Sequence, residues 1–236
     1  MLIAGPCSLE SYEKGLKDAK ECKKLGIEYF RAGVFKPRTS PYDFQGLRED
    51  GMEILSAIRK ETGVKTVTEL VSFKFANLFD DVDIIQIGSR NCQNYELLKE
   101  IGSLNKPVLL KRGFGTTIKE FLCSADYLKT YGAKEVILCE RGIRSFETSM
   151  RHTLDIGAVP IIQNTSDYKI IIDPSHSTGR RELVIPFCKA AMAIGADGLI
   201  VEATEIPEEA LTDGFQTIDY KQLVEVKKIY DKKFDF

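Results

Sequence analysis

The amino-acid sequence predicts an α/β protein, a single (β/α)8 TIM barrel that occupies residues 1–236. Three observations lead to this prediction. Short apolar runs lack the alternation of a half-exposed strand, so we expect parallel strands that are buried on both faces. Amphipathic stretches of helical length separate these runs. The chain of 236 residues is close to the typical barrel length of about 250 residues, and eight β-α units leave no segment over.

The strands are predicted, in chain order, at LIAG, IEYFRAG, VKTVTEL, DIIQIG, PVLLKRG, EVILCER, KIIIDPS and GLIVEA. The helices are predicted at residues 11–25, 50–62, 72–79, 94–103, 117–131, 147–157, 182–195 and 217–232. The first helix shows the pattern, with an apolar stripe that includes Leu16 and Ala19, lysines on the opposite face and Gly26 as a stop signal. His152 falls in the predicted helix 147–157, and we interpret it as a helix-surface residue or as support for a metal ligand.

The composition is that of an ordinary globular protein. Apolar residues make up 43% of the chain and charged residues 29%, and the net charge is −2, so the bulk charge does not indicate binding to nucleic acid or to a membrane surface. The start, MLIAGPCSLE, has no charged leader, and no apolar run is long enough to span a bilayer. The six cysteines show no paired spacing. We therefore expect a cytoplasmic protein with reduced thiols.

Cations follow many of the predicted strands. In a barrel the carboxyl ends of the strands form one rim, so we expect a locally positive mouth that binds a small polyanion. For any single arginine, an ordinary surface ion pair is the alternative. The predicted rim cations are Lys36, Arg38, Arg90, Lys111, Arg112, Arg141, Arg144, Arg180 and Arg181.

The stretch GVFKPRTSPYDFQG follows the second predicted strand. Pro37 and Pro41 fix φ and disfavour a helix, so this loop should be rigid. Arg38 offers a planar fork of donors, and Thr39 adds a hydroxyl beside it. We interpret the loop as a phosphate clamp.

Four metal-competent residues also fall at predicted strand ends. Cys7 follows the first strand, His176 the seventh and Glu202 the eighth, and Asp213 lies in the loop beyond. Closure of the barrel makes these strands neighbours, so the four side chains are expected on one arc of the rim. A thiolate, an imidazole and two carboxylates suit Mn, Fe, Co or Zn better than Mg or Ca. Taken singly, each has an alternative role: a buried thiol, a structural histidine or a turn residue.

Several longer motifs carry a resemblance to a known family. They are GPCSLES, FRAGVFKPRTSPYDFQGL, IGSRNCQNYELLKE, PVLLKRG, ILCERGIRSFE, DPSHSTGRRELV and EALTDGFQ. Over nearly the whole chain, the sequence resembles the type I, β-subgroup 3-deoxy-D-arabino-heptulosonate-7-phosphate (DAHP) synthases. The resemblance implies a TIM-barrel transferase that condenses phosphoenolpyruvate with erythrose 4-phosphate and water and releases inorganic phosphate. This reaction is the first step of the shikimate pathway for aromatic amino acids.

The resemblance also implies roles for individual residues. One divalent ion per subunit, Mn²⁺ in the first place and Fe²⁺, Co²⁺ or Zn²⁺ otherwise, would be bound by Cys7, His176, Glu202 and Asp213. The carboxylate and phosphate of phosphoenolpyruvate would be held by Arg31, Lys36, Arg90, Lys111 and Arg141. Arg38 and Thr39 would bind the phosphate of erythrose 4-phosphate, and Glu140 would order the reacting water. The implied catalytic residues are Lys36, Lys111, Cys7, His176 and Glu140. A homotetramer or homodimer is expected.

The chain departs from the family pattern at two places. Thr204 stands in EATE where relatives often have E-V-H-P, and His152 stands in RHTLD where relatives more usually have asparagine. The first change could alter the surroundings of the metal without removing a ligand. Because we expect no appended regulatory domain, we also expect no inhibition by phenylalanine, tyrosine or tryptophan.

Three other functions remain open from the sequence. A 3-deoxy-D-manno-octulosonate-8-phosphate synthase would perform the same condensation on arabinose 5-phosphate, but it typically carries a KANRS-like loop in place of KPRTS. A Schiff-base aldolase would use Lys111 and would need no metal. A catalytically silent phosphosugar-binding barrel would keep the cations but would not require Cys7 or His176.

Overall fold

The computed structural model describes residues 1–232, so residues 233–236 of the predicted domain lie outside the described part. Eight parallel strands pair in chain order, and the last pairs with the first, so the sheet closes into a barrel. The (β/α)8 prediction is therefore confirmed. The strands are β1 (Leu2–Gly5), β2 (Tyr29–Arg31), β3 (Lys65–Glu69), β4 (Ile84–Ile87), β5 (Pro107–Lys111), β6 (Glu135–Glu140), β7 (Lys169–Ile172) and β8 (Gly198–Glu202).

Helices cover the outside of the barrel, except for one short helix that lies at the carboxyl ends of the strands. The helices are α1 (Tyr12–Lys24), α2 (Arg48–Thr62), α3 (Tyr95–Gly102), α4 (Ile118–Thr130), α5 (Ala158–Thr165), α6 (Pro174–Thr178), α7 (Arg181–Ala193) and α8 (Tyr220–Asp231). Between β3 and β4, where a helix was predicted at 72–79, the chain forms the 3₁₀ helix Phe73–Leu78. Within residues 1–232, no helix is both long and apolar enough to cross a membrane.

The core has two layers, as expected for parallel strands that are buried on both faces. The larger layer packs the outward side chains of the strands against the helices. The smaller layer fills the barrel interior and consists of Ile3, Val67, Ile84, Leu109, Ile137, Cys139, Ile171 and Ile200. This inner layer fills the barrel with apolar side chains. Polar residues at the carboxyl ends of the strands therefore lie above an apolar core.

The helix predicted at residues 147–157 is wrong. This segment is an irregular loop, and α5 begins only at Ala158. Local hydrogen bonds compete with the helix: the Glu147 carboxylate accepts the backbone N–H groups of Thr148 and Ser149. An antiparallel bridge between Ile143 and Thr153 then turns the loop back toward the barrel. The loop therefore lies on the same rim as the predicted site.

Candidate active site and metal centre

The four predicted metal ligands lie together at the carboxyl end of the barrel. Cys7 follows β1, His176 lies on the short helix α6, Glu202 ends β8 and Asp213 lies in the following loop. One ligand atom from each residue can be chosen so that all four atoms lie within 4.8 Å of one another. The pairing of β1 with β8 places Gly5 opposite Glu202, which explains why residues so far apart in sequence converge.

Asp173 fixes the orientation of the His176 ring. Its Oδ1 caps α6 by accepting the backbone N–H of His176 at 2.9 Å, and its Oδ2 lies 2.7 Å from Nδ1 of the ring. Burial lowers the pKa of His176 to about 4, so the imidazole is neutral at pH 7. The hydrogen bond to Asp173 assigns the proton to Nδ1, which leaves the lone pair of Nε2 facing the cluster.

Glu202 provides the best test of whether a cation fits. Its Oε2 accepts a hydrogen bond from Gln216 Nε2 at 2.5 Å, but its fully buried Oε1 has no hydrogen-bond partner among the described residues. This Oε1 lies 3.2 Å from Nε2 of His176, so two acceptors face each other. Burial opposes ionisation, yet His176 and Arg31 hold the pKa of Glu202 below its usual value. A cation between these atoms would satisfy both, so the donor set fits a metal ion.

Cys7 and Lys36 connect the cluster to the loop after β2. The Cys7 thiol donates to Asp213 Oδ2 at 3.2 Å, and its sulfur accepts from Lys36 Nζ at 2.9 Å. Burial raises the pKa of Cys7 to about 12, with a further contribution from Glu202 that Lys36 opposes. Because of this raised pKa, Cys7 keeps its proton at neutral pH in the absence of a metal. Gly33 permits the close packing of the loop against Cys7, since a Cβ at position 33 would lie 2.7 Å from the Cys7 carbonyl oxygen.

Asp213 has an unusual backbone. Its φ is 53°, in the left-handed region that aspartate tolerates better than most residues. Burial opposes ionisation, but His176, Arg151 and Lys36 lower the pKa of Asp213 to about 2. The side chain is therefore an anion that faces the cluster.

A cavity beside the cluster is lined by all of the residues that the family resemblance implied for substrate binding. They are Arg31, Lys36, Arg38, Thr39, Arg90, Lys111 and Arg141. His176 and Asp213 also line this cavity, so the cluster opens into it. The structure thus brings the predicted metal ligands and the predicted anion-binding residues to one place.

Two cations in the cavity wall are buried without full compensation. Arg141 is 4% exposed and makes no ion pair within residues 1–232, while Nη1 donates to the Gly142 carbonyl oxygen at a long 3.4 Å. Burial lowers the pKa of Arg141 to about 10. In Arg31, Nε and Nη1 have no hydrogen-bond partner among the described residues, although Nη1 lies 3.3 Å from Glu202 Oε1. Buried donors of this kind indicate an anionic ligand.

The other cations of the wall have partners that a substrate could share or displace. Lys111 Nζ donates to Asp173 Oδ2 at 2.5 Å, which links it to the residue that orients His176. Arg38 lies 3.3 Å from Asp43 Oδ2, and Arg90 Nη2 donates to Thr39 Oγ1 at 3.4 Å. The predicted phosphate clamp is therefore in contact with the wall of the cavity.

Fewer of the predicted rim cations line the cavity than the sequence suggested. Arg112 is buried in a pair of ion pairs with Glu140 and Asp155, at 2.8 and 2.7 Å, and does not line the cavity. Arg180 pairs with Glu182, and Arg181 pairs with Glu208. Arg144 is exposed and also lies outside the cavity lining. Four of the predicted cations are thus placed elsewhere, three of them because a carboxylate lies near them in space.

The structure does not bring Glu140 to the cavity. Its Oε2 accepts from Arg112 at 2.8 Å, and its Oε1 accepts the backbone N–H of Gly142 at 2.7 Å. Both oxygens are occupied by the protein, which argues against the water-ordering role. Glu69, at the end of β3, lines the cavity instead, and burial raises its pKa.

Several residues of the site were not predicted from the sequence. Asp173 had a signal, since an aspartate before proline is a typical helix start, and here it caps the helix that carries His176. Gln216 and Arg151 had none: Arg151 Nη1 donates to Gln216 Oε1 at 2.9 Å and to Asp213 Oδ1 at 3.3 Å. The loop that carries Arg151 approaches Asp213 only in the folded barrel.

The two departures from the family pattern have different surroundings. Thr204 Oγ1 donates to Asp18 on α1, with its two oxygens at 3.1 and 3.0 Å, so it points away from the metal cluster. His152 is not on a helix, contrary to the prediction. Its ring stacks on Phe114, with the ring centroids 5.0 Å apart and the planes inclined by 10°. Phe114 lines the cavity, so His152 backs the cavity wall.

The fold is a closed parallel barrel, and its strands end at a four-donor cluster beside a cavity lined by cations. This arrangement is typical of (β/α)8 enzymes that act on anionic substrates. Residues 1–235 match the family model of the DAHP synthetase I family. The chain belongs to this family, which confirms the resemblance.

Individual relatives agree with this membership. The chain is 53% identical over 235 residues to the phospho-2-dehydro-3-deoxyheptonate aldolase of Thermotoga maritima, and the match covers 98% of the chain and 70% of the relative. It is 33% identical to the 2-dehydro-3-deoxyphosphooctonate aldolase of Desulfotalea psychrophila, covering 96% of the chain and 86% of the relative. A crystal structure of the Thermotoga maritima DAHP synthase matches with a TM-score of 0.93 and 51% identity, covering 97% of this chain and 67% of that one.

Proposed function

We propose that this protein condenses phosphoenolpyruvate with erythrose 4-phosphate and water to give 3-deoxy-D-arabino-heptulosonate 7-phosphate and inorganic phosphate. The observation that carries the proposal is the meeting of two features in one cavity. The four-donor cluster lies beside a cavity whose wall is lined by cations. Two buried arginines of that wall are not fully paired with carboxylates or hydrogen-bond acceptors of the described residues. A reaction between two anionic substrates needs both features. The heptulosonate relative at 53% identity, against 33% for the octulosonate relative, supports the four-carbon sugar.

The reaction depends on a divalent ion in this proposal. The proposed ligands are Oε1 of Glu202, which has no hydrogen-bond partner among the described residues, Nε2 of His176, the carboxylate of Asp213 and the Cys7 sulfur as a thiolate. This mixed set favours Mn²⁺, Fe²⁺, Co²⁺ or Zn²⁺ over Mg²⁺, and we propose one ion per subunit, Mn²⁺ in the first place. The ion would supply Lewis-acid polarisation of the aldehyde oxygen.

The cations of the wall hold phosphoenolpyruvate. Arg31 has two buried guanidinium nitrogens without a hydrogen-bond partner among the described residues, and Arg141 makes no ion pair there. Lys111, Lys36 and Arg90 complete the wall. Guanidinium forks suit the carboxylate and phosphate groups of this substrate. Fixing the enol in this way directs its C3 toward the aldehyde carbon of the second substrate, which is an alignment effect worth several kcal/mol.

Lys36 and Lys111 join the anion site to the metal centre. Lys36 Nζ contacts Cys7 Sγ, and Lys111 shares Asp173 with His176. In this proposal, the Lys36 ammonium donates a proton to the aldehyde oxygen as the C–C bond forms. Water then adds at C2, and the resulting hemiketal phosphate loses inorganic phosphate by C–O cleavage. Glu69 is better placed than Glu140 to order this water, because it lines the cavity and burial raises its pKa.

Arg38 and Thr39 bind the phosphate of erythrose 4-phosphate. Within residues 1–232, Arg38 makes one ion pair, with Asp43 at 3.3 Å, and a substrate phosphate can replace it. The Arg90–Thr39 hydrogen bond supports a position of this phosphate next to the proposed phosphoenolpyruvate site. The clamp therefore sets the distance between the two substrates.

We further propose that the enzyme works in the cytoplasm as a homotetramer or homodimer. All six cysteines are free thiols, as expected in a reducing compartment. Light scattering of the purified protein measures the oligomeric state.

Product analysis tests the proposed function. The protein, supplied with Mn²⁺, phosphoenolpyruvate and erythrose 4-phosphate, should form a seven-carbon phosphorylated acid that mass spectrometry detects. Arg141→Ala should raise the KM for phosphoenolpyruvate at least tenfold, because the buried guanidinium is lost. Arg180→Ala removes an exposed arginine that pairs with Glu182, and it should change this KM less than twofold. Absence of the seven-carbon product, or equal effects of the two variants, would contradict the proposal.

A further inference from the structure

Three arginines surround the ring of Phe114. The guanidinium carbons of Arg141, Arg144 and Arg90 lie 4.9, 5.2 and 5.9 Å from the ring centroid. Among residues 1–232, none of these three arginines makes an ion pair with a carboxylate. The three guanidinium groups carry like charges and repel one another, so an attractive contact helps to hold them together.

The aromatic ring supplies that attraction. The face of a phenylalanine ring is electronegative and attracts a nearby cation, most strongly where water is excluded. Phe114 is only partly exposed, and its carbonyl oxygen accepts the backbone N–H of Arg144 at 2.8 Å, which ties the two loops together. The ring is therefore held at one place relative to the arginines.

His152 supports the ring by stacking. The two rings are nearly parallel, 10° apart, at a centroid distance of 5.0 Å. The backbone N–H of His152 donates to the Ser177 carbonyl oxygen at 2.9 Å, which anchors the residue next to α6.

We propose that Phe114 is a positioning residue that holds Arg90 and Arg141 ready for the anionic groups of phosphoenolpyruvate, and that His152 backs the ring. This inference rests on the proposed function, since it assigns the same cavity wall to phosphoenolpyruvate. It accounts for the stack of an aromatic residue and a histidine behind a cavity lined by cations. It also explains how unpaired arginines keep their positions before the substrate binds.

The test measures phosphoenolpyruvate binding directly, by calorimetry on EDTA-treated protein, so that turnover is not required. Phe114→Leu keeps apolar bulk but removes the ring, and we expect it to weaken binding about three- to thirtyfold, the range of cation–π attractions from exposed to desolvated sites. Phe114→Tyr keeps the ring and should bind like the wild type. Phe146→Leu is the matched control, because Phe146 lies in a neighbouring loop and is 98% exposed; its binding should be unchanged.

His152→Asn should weaken binding less than Phe114→Leu does. The double variant should bind no worse than Phe114→Leu alone, since His152 acts through the ring. Wild-type affinity in Phe114→Leu, or an equal loss in Phe114→Tyr, would overturn the inference. So would an equal rise in the KM values of both substrates in steady-state assays of the Mn²⁺-supplied Phe114→Leu variant. A wild-type protein that does not bind phosphoenolpyruvate would instead overturn the proposed function, which keeps the two failures apart.

Discussion

Metal binding should release about one proton per ion, and this proton should come from Cys7. The count follows from the ionisation of the four donors at pH 7. The pKa of Cys7 is raised to about 12, so the thiol is protonated, whereas the pKa values of His176 and Asp213 lie at about 4 and 2. The pKa of Glu202 is below its usual value. Only the thiol must therefore lose a proton to become a ligand.

The magnitude follows from this single proton. The association constant for Mn²⁺ should rise about tenfold per pH unit, or about hundredfold between pH 6 and pH 8, because each unit corresponds to about 1.36 kcal/mol. Calorimetry on anaerobic, EDTA-treated protein, in two buffers with different ionisation enthalpies, gives both the affinity and the number of protons released.

Two serine variants make the assay specific. Cys7→Ser should abolish the proton release and flatten the pH dependence, since a hydroxyl stays protonated over this range. Cys188→Ser is the control, because Cys188 is an equally buried thiol on α7 whose pKa is also raised by burial. It should release the proton as the wild type does. Release of no proton by the wild type, or release that survives Cys7→Ser, would refute the assignment of Cys7 as a ligand.

Three further predictions concern one residue each. Asp43→Ser should lower the KM for erythrose 4-phosphate up to about fivefold in steady-state assays, because the exposed pair with Arg38 at 3.3 Å competes with the phosphate and such pairs are worth about 0.2–1 kcal/mol; a higher KM would contradict this. Arg112→Met should lower the free energy of unfolding by about 3–5 kcal/mol in urea titrations, because it leaves the buried Glu140 without its cation; a loss below about 1 kcal/mol would refute the structural role. Asp18→Asn should remove a pH dependence of stability: burial raises the pKa of Asp18 to about 6 from 3.8, so the folded state binds the proton more tightly than the unfolded state. The wild type should then lose about 2 kcal/mol relative to the variant between pH 4 and pH 7, and a gain over this range would rule out the raised pKa.

The barrel could be predicted because its two sequence signals, the short apolar runs and the amphipathic stretches between them, are local and repeated. Each strand is a short apolar run that is buried on two faces, and the count of eight leaves one closed topology. The cluster of Cys7, His176 and Glu202 followed from closure alone, since β8 must pair with β1. These parts of the site could be predicted because the residues sit at strand ends, where the fold fixes their direction.

The cation assignments were less accurate for a physical reason. Whether an arginine is free for a substrate depends on which carboxylate lies within reach in space, and spacing along the chain does not contain this information. Arg112 was assigned to the rim, but Asp155 approaches it from a segment that the sequence placed in a helix. That helix was wrong because Glu147 satisfies the neighbouring backbone N–H groups itself. The incorrect helix prediction for residues 147–157 therefore hid two contacts: the ion pair of Arg112 with Asp155 and the stacking of His152 on Phe114.

The most direct test of the account is phosphate release from phosphoenolpyruvate by EDTA-treated protein, with and without Mn²⁺, and with either erythrose 4-phosphate or arabinose 5-phosphate. We predict release that requires the metal and that occurs with the four-carbon sugar. Cys7→Ser should strongly reduce it, whereas Cys188→Ser should not. Preference for the five-carbon sugar would contradict the role given to Arg38 and Thr39. Full release without any metal would contradict the metal centre on which the mechanism depends.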